Sequence, residues 1–471
     1  MLALGLYFLA QVAIRVMQDG ALALDEAEQV FNAQQLLLGY GSQPPLYEWL
    51  QWAVFKLVGI NHFGLSVLKN ALLFALYASV FQAARLLLGP AAAAAAAASM
   101  VLIVPLGWEA QIDRTHSLVA TAVAAGALWT YLALLRHPAR WRYALLGLLL
   151  GLGMQSKYNF AIFVVGLTGA SLLVREHRQL VWTRKAWITV LVAALSVLPH
   201  ALWFLQQLDA ATAETLDKMA DHDPNAAYAT QLANGFKHLF LGIASFITPL
   251  WIALAVAYRS PKHACLAAGT PEARFFLWLC AIGFASITAM ILSGQLAHIK
   301  SRWLQPFLFV LPLGLFVVFP ARREAVYRQL LAISGVAALA MLVALAMRPQ
   351  VQSSRGQPTR LSRPYPELGA ELARRFPGIP VIAVRDRYIA GNVRLQLPRT
   401  RVRLLREFCR QRLADGQRAL VLVQEGMTGP GFSLDRCAAA AVLERGRIEA
   451  AAAARPDDKL GFDYALLAPA G

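Results

Sequence analysis

The sequence predicts a polytopic α-helical membrane protein of about eleven transmembrane helices, with amphipathic helices in an outer loop and a small C-terminal α/β domain. Three observations carry that reading. Hydrophobic residues make up 58% of the 471 and charged residues only 15%, with mean hydropathy +0.50, against about 25% charged in a typical soluble domain. Apolar runs recur at lengths near the roughly 20 residues that a helix needs to cross hydrocarbon. The basic residues then gather in alternate connections between those runs. A formal charge of +17 would raise nucleic acid as a partner for a soluble chain. Here membrane topology accounts for much of it, and no nucleic-acid partner is expected.

The apolar runs are Leu2 to Met17, Phe63 to Leu88, Ala91 to Leu106, His116 to Leu135, Tyr143 to Ser156, Tyr158 to Val174, Ala186 to Leu205, Phe236 to Tyr258, Phe275 to Ser293, Gln305 to Phe319 and Gln329 to Met347. The fifth and sixth are short for full crossings. Ala21-Leu22-Ala23 would also suit the end of a signal peptide, but no Lys or Arg precedes the apolar run, so Leu2 to Met17 is read as a span.

Lys and Arg near span ends favour the cytoplasm. One set of loops holds Arg85; Arg136, Arg140 and Arg142; Arg175, Arg178, Arg184 and Lys185; Arg259, Lys262 and Arg274; and Arg322, Arg323 and Arg328, with only Glu176, Glu272 and Glu324 as acids. The opposite loops are acidic, through Asp19, Asp25, Glu26, Glu28, Glu48, Glu109, Asp113, Asp209, Glu214, Asp217, Asp221 and Asp223. The acidic side is expected to face outward.

After Met347 no run is long enough to span, and the last 124 residues hold 21 Lys+Arg and 12 Asp+Glu. Strand-like Val381 to Val384 and Ala419 to Val423 alternate with helix-like Leu368 to Arg375 and Ser433 to Glu444, which predicts a small α/β domain over 348–471 beside a membrane domain over 1–347. An odd number of spans puts it outside, and its basic charge does not oppose this, because long translocated domains largely escape the charge rule. The Ala91 to Ala98 and Ala450 to Ala454 tracts read as helix-compatible filler. Cys409 and Cys437 are the only cysteines of this tail. In an oxidising compartment they are expected to form a disulfide, the alternative being two buried thiols. No Cys/His cluster has zinc spacing and no cofactor is identified; a divalent metal stays open, without support from the sequence.

The first outer loop, from about Gln18 to His62, holds two amphipathic stretches, Asp25 to Leu38 and Tyr47 to Val58, expected to lie along the membrane surface. Gln43-Pro44-Pro45-Leu46-Tyr47 breaks the chain between them. Asp25 is read either as a helix cap with Glu28 as its box partner or as a partly desolvated general base. Asp113 lies in the next outer loop, where pairing with Arg114 or capping the helix from His116 competes with a functional role. Lys157 stands in MQSKYNF between the two short spans, deep enough to act inside the bundle or to snorkel. His298, Lys300, Arg302 and Trp303 in HIKSRW place cations at the outer surface, suited to phosphate or to headgroup anchoring.

Taken together, DEAE after the first span, GYGSQPPLYEWL, QIDRTHS, MQSKYNF and HIKSRWLQP resemble the GT-C superfamily of membrane glycosyltransferases. The likeness is to family 39, the group of protein O-mannosyltransferases and lipid A aminoarabinose transferases. It covers roughly residues 1 to 320, and RYIAGNVRLQLPRTR in the tail is similar to the outer domain of bacterial members. The resemblance implies a polyprenyl-phosphate sugar donor and an inverting transfer. It puts Asp25 in the place of the catalytic acid, with Asp113 as the second outer-loop acid. Lys157, Lys300 and Arg302 are then expected to bind the donor phosphate, and Glu26, Asp113, Glu48, Tyr158 and His298 the sugar or acceptor. Ser42-Gln43 replaces the Glu-Lys pair that aminoarabinose transferases tend to carry before Pro-Pro, so no role of that pair carries over.

The expected setting is a bacterial inner membrane with site and tail in the periplasm, among membrane lipids. A tail at net +9 favours an anionic lipid or glycolipid acceptor, lipid A or lipopolysaccharide core. A protein hydroxyl is the competing acceptor. A lipid-linked-sugar flippase is the competitor from another class, although the charges gather in outer loops and not at span centres.

Overall fold

The computed structural model describes all residues except 19, 210, 213–226, 260–263, 295, 355–359, 411–412, 414–415, 426–439, 453–454 and 470–471. Of the loop charges named above, Asp19, Glu214, Asp217, Asp221, Asp223 and Lys262 lie outside the described residues.

All eleven apolar runs are helical, but not all are full crossings. Among the described residues six helices are long and apolar enough to span: His62–Leu87, His116–Arg136, Ala186–Gln206, Tyr228–Tyr258, Pro271–Leu292 and Glu324–Val351. Two more qualify only as bent pairs, Pro90–Leu102 with Pro105–Asp113 at 73° and Phe160–Leu173 with Arg175–Val181 at 117°. The bends have local causes. Ile103 is extended just before Pro105, which lacks an N–H, and Val174 is extended just before the charged Arg175 turn. Leu2–Met17, Arg140–Met154 and Gln305–Val318 are shorter than a straight crossing needs.

The chain divides into two compact units. One comprises Met1–Ala10, Leu37–Tyr47 and Lys69–Leu342, and the other Gln11–Leu36, Glu48–Leu68 and Val343–Gly471. The first is the helical bundle, cored by aromatics such as Phe160, Phe163, Phe246, Phe275 and Phe307. The second therefore takes in two segments of the first outer loop besides the tail.

The sheet of the second unit has strands β1 (Val381–Val384), β2 (Arg401–Leu404), β3 (Ala419–Gln424), β4 (Ala440–Ala452) and β5 (Arg455–Pro469) in the order β2-β1-β3-β5-β4. β1 is parallel to β2 and β3, and both β1 and β3 are almost wholly buried, as strands covered on two faces are. The expected tail helix is present as Tyr365–Arg375. The expected helix at Ser433 to Glu444 is not found over its described end. Its first part lies outside the described residues, and from Ala440 the chain is strand β4, paired with β5 in a long antiparallel hairpin that overrides the helix propensity of Ala, Leu and Glu. The same pairing makes Ala450 to Ala452 strand and not helix.

Helices α1 (Leu2–Met17), α2 (Leu24–Asn32) and α3 (Leu46–Val58) form the first part of the chain. α2 ends six residues short of the expected Leu38. Its apolar face packs against protein: Ala27 and Val30 lie with Leu22, Phe55 and Leu65 inside the second unit.

Candidate active site

In the bundle, four of the sequence motifs meet at the turn 155–159 between the two short helices. The Gln155 carbonyl accepts from the Leu46 N–H at 3.0 Å, fixing the end of the Pro-Pro segment. Lys157 Nζ donates to Ser117 Oγ at 2.6 Å, at the start of the His116–Arg136 helix, and the His116 ring lies 5.9 Å from that of Tyr47. Tyr158 stacks on His200 at 5.9 Å and its hydroxyl meets Nε2 at 3.3 Å, while Nδ1 lies 2.6 Å from the Leu38 carbonyl. A carbonyl only accepts, so Nδ1 carries the proton and Nε2 accepts from Tyr158. Asn159 Nδ2 donates to the Trp303 carbonyl at 2.8 Å, which joins this turn to the basic HIKSRW segment.

That segment is anchored by buried Leu296, Ala297, Ile299 and Leu304, between which His298 and Arg302 are half-buried and Lys300 is exposed. His298 packs edge-on against His238 at 4.6 Å. Asp113 ends the short helix Ala110–Asp113, whose Gln111 accepts through its carbonyl from Lys69 Nζ at 3.4 Å and donates to Asn70 Oδ1 at 2.9 Å. Arg114 pairs with Glu109 at 2.7 Å.

The loop before Pro44 is shaped by a tight turn in which the Tyr40 and Gln43 peptide groups bond each other, with Gly41 at φ +64°. A Cβ at Gly39 would lie 2.2 Å from the Trp203 ring. Gly39→Val should therefore push the loop off that ring and lower the thermal midpoint of the solubilised protein, at a cost of about 1–3 kcal/mol; an unchanged midpoint would show that the loop yields freely.

The remaining predicted residues lie around α2, in the other unit. The structure places the helix cap at Ala23, so Asp25 is not the cap and Glu28 is not its box partner. Glu26 fills that position instead: its carboxylate accepts from the Ala23 N–H at 3.1 Å and from Arg15 Nη2 and Nε at 2.7 and 3.1 Å. At 2% exposure, Glu26 has a structural job. Asp25, one residue earlier, is half-buried on the first turn, where the helix dipole favours a carboxylate. Glu48 is fully buried and accepts from Asn32 Nδ2 at 3.3 Å and Gln29 Nε2 at 3.5 Å, tying α3 to α2. The candidate residues thus form two sets, one on each unit.

Among the described residues no group of three or more His, Cys, Asp or Glu is placed to hold a metal ion. Cys409 is disulfide-bonded, Cys265 and Cys280 are free thiols, and Cys437 lies outside the described residues.

Residues 42–203 match the dolichyl-phosphate-mannose-protein mannosyltransferase family. The chain is 35% identical over 84% of its length to the lipopolysaccharide core galacturonosyltransferase RgtB of Rhizobium johnstonii, covering 80% of that protein, and 34% identical to RgtA over the same shares. The chain belongs to the GT-C superfamily of membrane glycosyltransferases. Its fold is similar to that of ArnT from Cupriavidus metallidurans, solved bound to undecaprenyl phosphate, with a TM-score of 0.62 at 14% identity over 98% of this chain and 96% of that one. Within this GT-C chain, sequence reasoning missed Ser117, His200 and His238. Ser117 stood in the quoted QIDRTHS, and the two histidines sit inside apolar runs where a buried polar group needs a partner.

Proposed function

We propose that this glycosyltransferase moves a galacturonosyl residue from a polyprenyl-phosphate donor to a hydroxyl of lipopolysaccharide core or lipid A on the periplasmic face of a bacterial inner membrane. The observation that carries it is the 35% identity with RgtB over 84% of the chain, spanning both units. The Lys157 turn supports the chemistry, since it holds an ammonium where segments from several loops converge. Asp25 takes the proton of the acceptor hydroxyl as its oxygen attacks the anomeric carbon, and the lipid phosphate leaves with the electron pair, inverting the configuration. Lys157, Lys300 and Arg302 bind that phosphate and meet its growing charge. Asp113, Tyr158 and His298 are the nearer choices for sugar or acceptor contacts, because Glu26 and Glu48 are buried in α2 contacts. The domain division is then a membrane part over 1–347 and an outer part over 348–471.

Mass spectrometry of lipopolysaccharide from a deletion strain and its complement tests the reading. Loss of a galacturonosyl residue on deletion, restored by the complement, is expected. Intact lipopolysaccharide with under-glycosylated envelope proteins would favour the protein acceptor, which the family match over 42–203 keeps as the second reading.

The Cys409 disulfide supports an oxidising compartment for the outer part. Pairing with Cys437 closes a loop worth about 3 kcal/mol to the folded state. Alkylation of the unfolded, unreduced protein should therefore label Cys265 and Cys280 only, and all four cysteines after reduction; labelling of Cys437 without reductant would remove the pairing.

A further inference from the structure

We propose that the helix Arg387–Gln396 of the tail is a clamp that holds α2, and with it Asp25, in the position the reaction needs. The proposal rests on Asp25 being the base, and deepens that reading by naming the residues that position it.

α2 has only nine residues, and isolated helices below about 12–15 are marginal, so its place is set by what grips it. Four contacts of different kinds do so, all within the second unit. The Leu22 N–H, just ahead of α2, donates to Asn392 Oδ1 at 2.8 Å. Asn392 is fully buried and its Nδ2 donates to the Tyr388 carbonyl at 2.9 Å, one turn back on its own helix, so the amide is fixed one way round. Glu28 forms an ion pair with Arg387. Gly391 lets the two helices touch backbone to backbone, because a Cβ there would fall 2.0 Å from the Ala27 carbonyl oxygen. Just past α2, the Gln34 amide accepts from the Val402 N–H at 2.9 Å and donates to the Val402 carbonyl at 3.0 Å, while Arg394 Nη1 donates to Gln34 Oε1 at 2.8 Å. β2 is an edge strand, and Gln34 occupies the peptide groups of Val402 as a neighbouring strand would.

These contacts bracket Asp25. Leu22 lies before it, Ala27 and Glu28 just after it, and Ala21 is wholly buried in the core that includes Tyr365, Ile382 and Leu420. Ala21-Leu22-Ala23, the segment that would also suit a signal-peptide end, is buried throughout. Asn392, Arg387 and Gly391 are accordingly positioning residues. They act through α2, and displacement of a catalytic group by about 1 Å is enough to cost about 10²-fold in rate.

The test uses the full chain in lipid nanodiscs, with hydrogen–deuterium exchange over 22–32 and steady-state kinetics on undecaprenyl-phosphate galacturonic acid. Asn392→Ala should speed exchange over that segment about tenfold and lower kcat about tenfold, leaving donor KM within about twofold. Glu28→Arg and Arg387→Glu should each lower kcat, and the double exchange should restore it. This second series keeps the test decisive if Asn392→Ala does not fold. Unchanged exchange in Asn392→Ala, faster exchange with wild-type kcat, or no recovery in the charge exchange would each overturn the clamp. Asp25→Asn run alongside separates the two ideas: wild-type turnover in that variant removes the base assignment, whereas the exchange measurement reports on the clamp alone.

Discussion

Asp25→Asn is expected to fold and bind donor as the native protein does and to lose turnover by about 10³-fold or more, at the upper end of what general-base catalysis contributes. Asparagine keeps the shape and a hydrogen-bonding oxygen but takes no proton at neutral pH. The fold should tolerate it because the helix cap is at Ala23 and asparagine keeps the side chain's size and polarity, while the dipole interaction of about 0.3–1 kcal/mol is weakened. The neighbouring acid should behave in the opposite way. Glu26→Ala leaves Arg15 without its bidentate partner at a buried site and uncaps the Ala23 N–H, which should cost about 3 kcal/mol or more in stability. Activity per folded molecule should fall far less than with Asp25→Asn. Thermal unfolding and turnover measured on both variants check the pair; full turnover by Asp25→Asn, or its loss only in step with unfolding, sinks the base.

That contrast between adjacent carboxylates was not legible in the sequence. Asp25 with Glu28 satisfies the spacing of a capping box as well as Ala23 with Glu26 does, and only the observed start of α2 decides between them. The end of α2 was hidden for a related reason. The apolar period runs on toward Leu38, but Gln34 is drawn off to pair with Val402, a partner 368 residues away that no local pattern reveals. Strand β1 could be read to the residue, because a β-branched run buried on both faces has one comfortable conformation. β4 could not, since alanine-rich sequence prefers helix until β5 supplies its hydrogen bonds. Span length was legible as hydrophobicity, whereas the breaks at Ile103 and Val174 depend on backbone geometry. The cationic motifs were visible one at a time. Their meeting at the 155–159 turn rests on long-range contacts, among them those from Leu46, Ser117 and Trp303.

Lys157→Ala is expected to reduce kcat by about 10²- to 10³-fold, the range found when one preorganised donor to a developing anion is removed. The reason lies in its setting. Lys157 is half-buried, and its ammonium is held by Ser117 Oγ at 2.6 Å, so little reorganisation is needed as charge builds on the leaving phosphate. Lys300 differs in being exposed at the end of a loop turn. There solvent and salt screen it, so Lys300→Ala should act chiefly on donor KM and lose its effect as ionic strength rises. Ser117→Ala removes the tether but not the charge, and should cost about tenfold in kcat, the worth of one hydrogen bond to a charged group. Lys157→Arg should not restore full activity, because a longer, planar guanidinium does not reproduce the compact ammonium that donates to Ser117 Oγ. Single-turnover rates with undecaprenyl-phosphate galacturonic acid at two salt concentrations distinguish these outcomes. If Lys157→Ala changes only KM, with the same salt dependence as Lys300→Ala, then Lys157 is an interfacial anchor and the leaving phosphate is stabilised elsewhere.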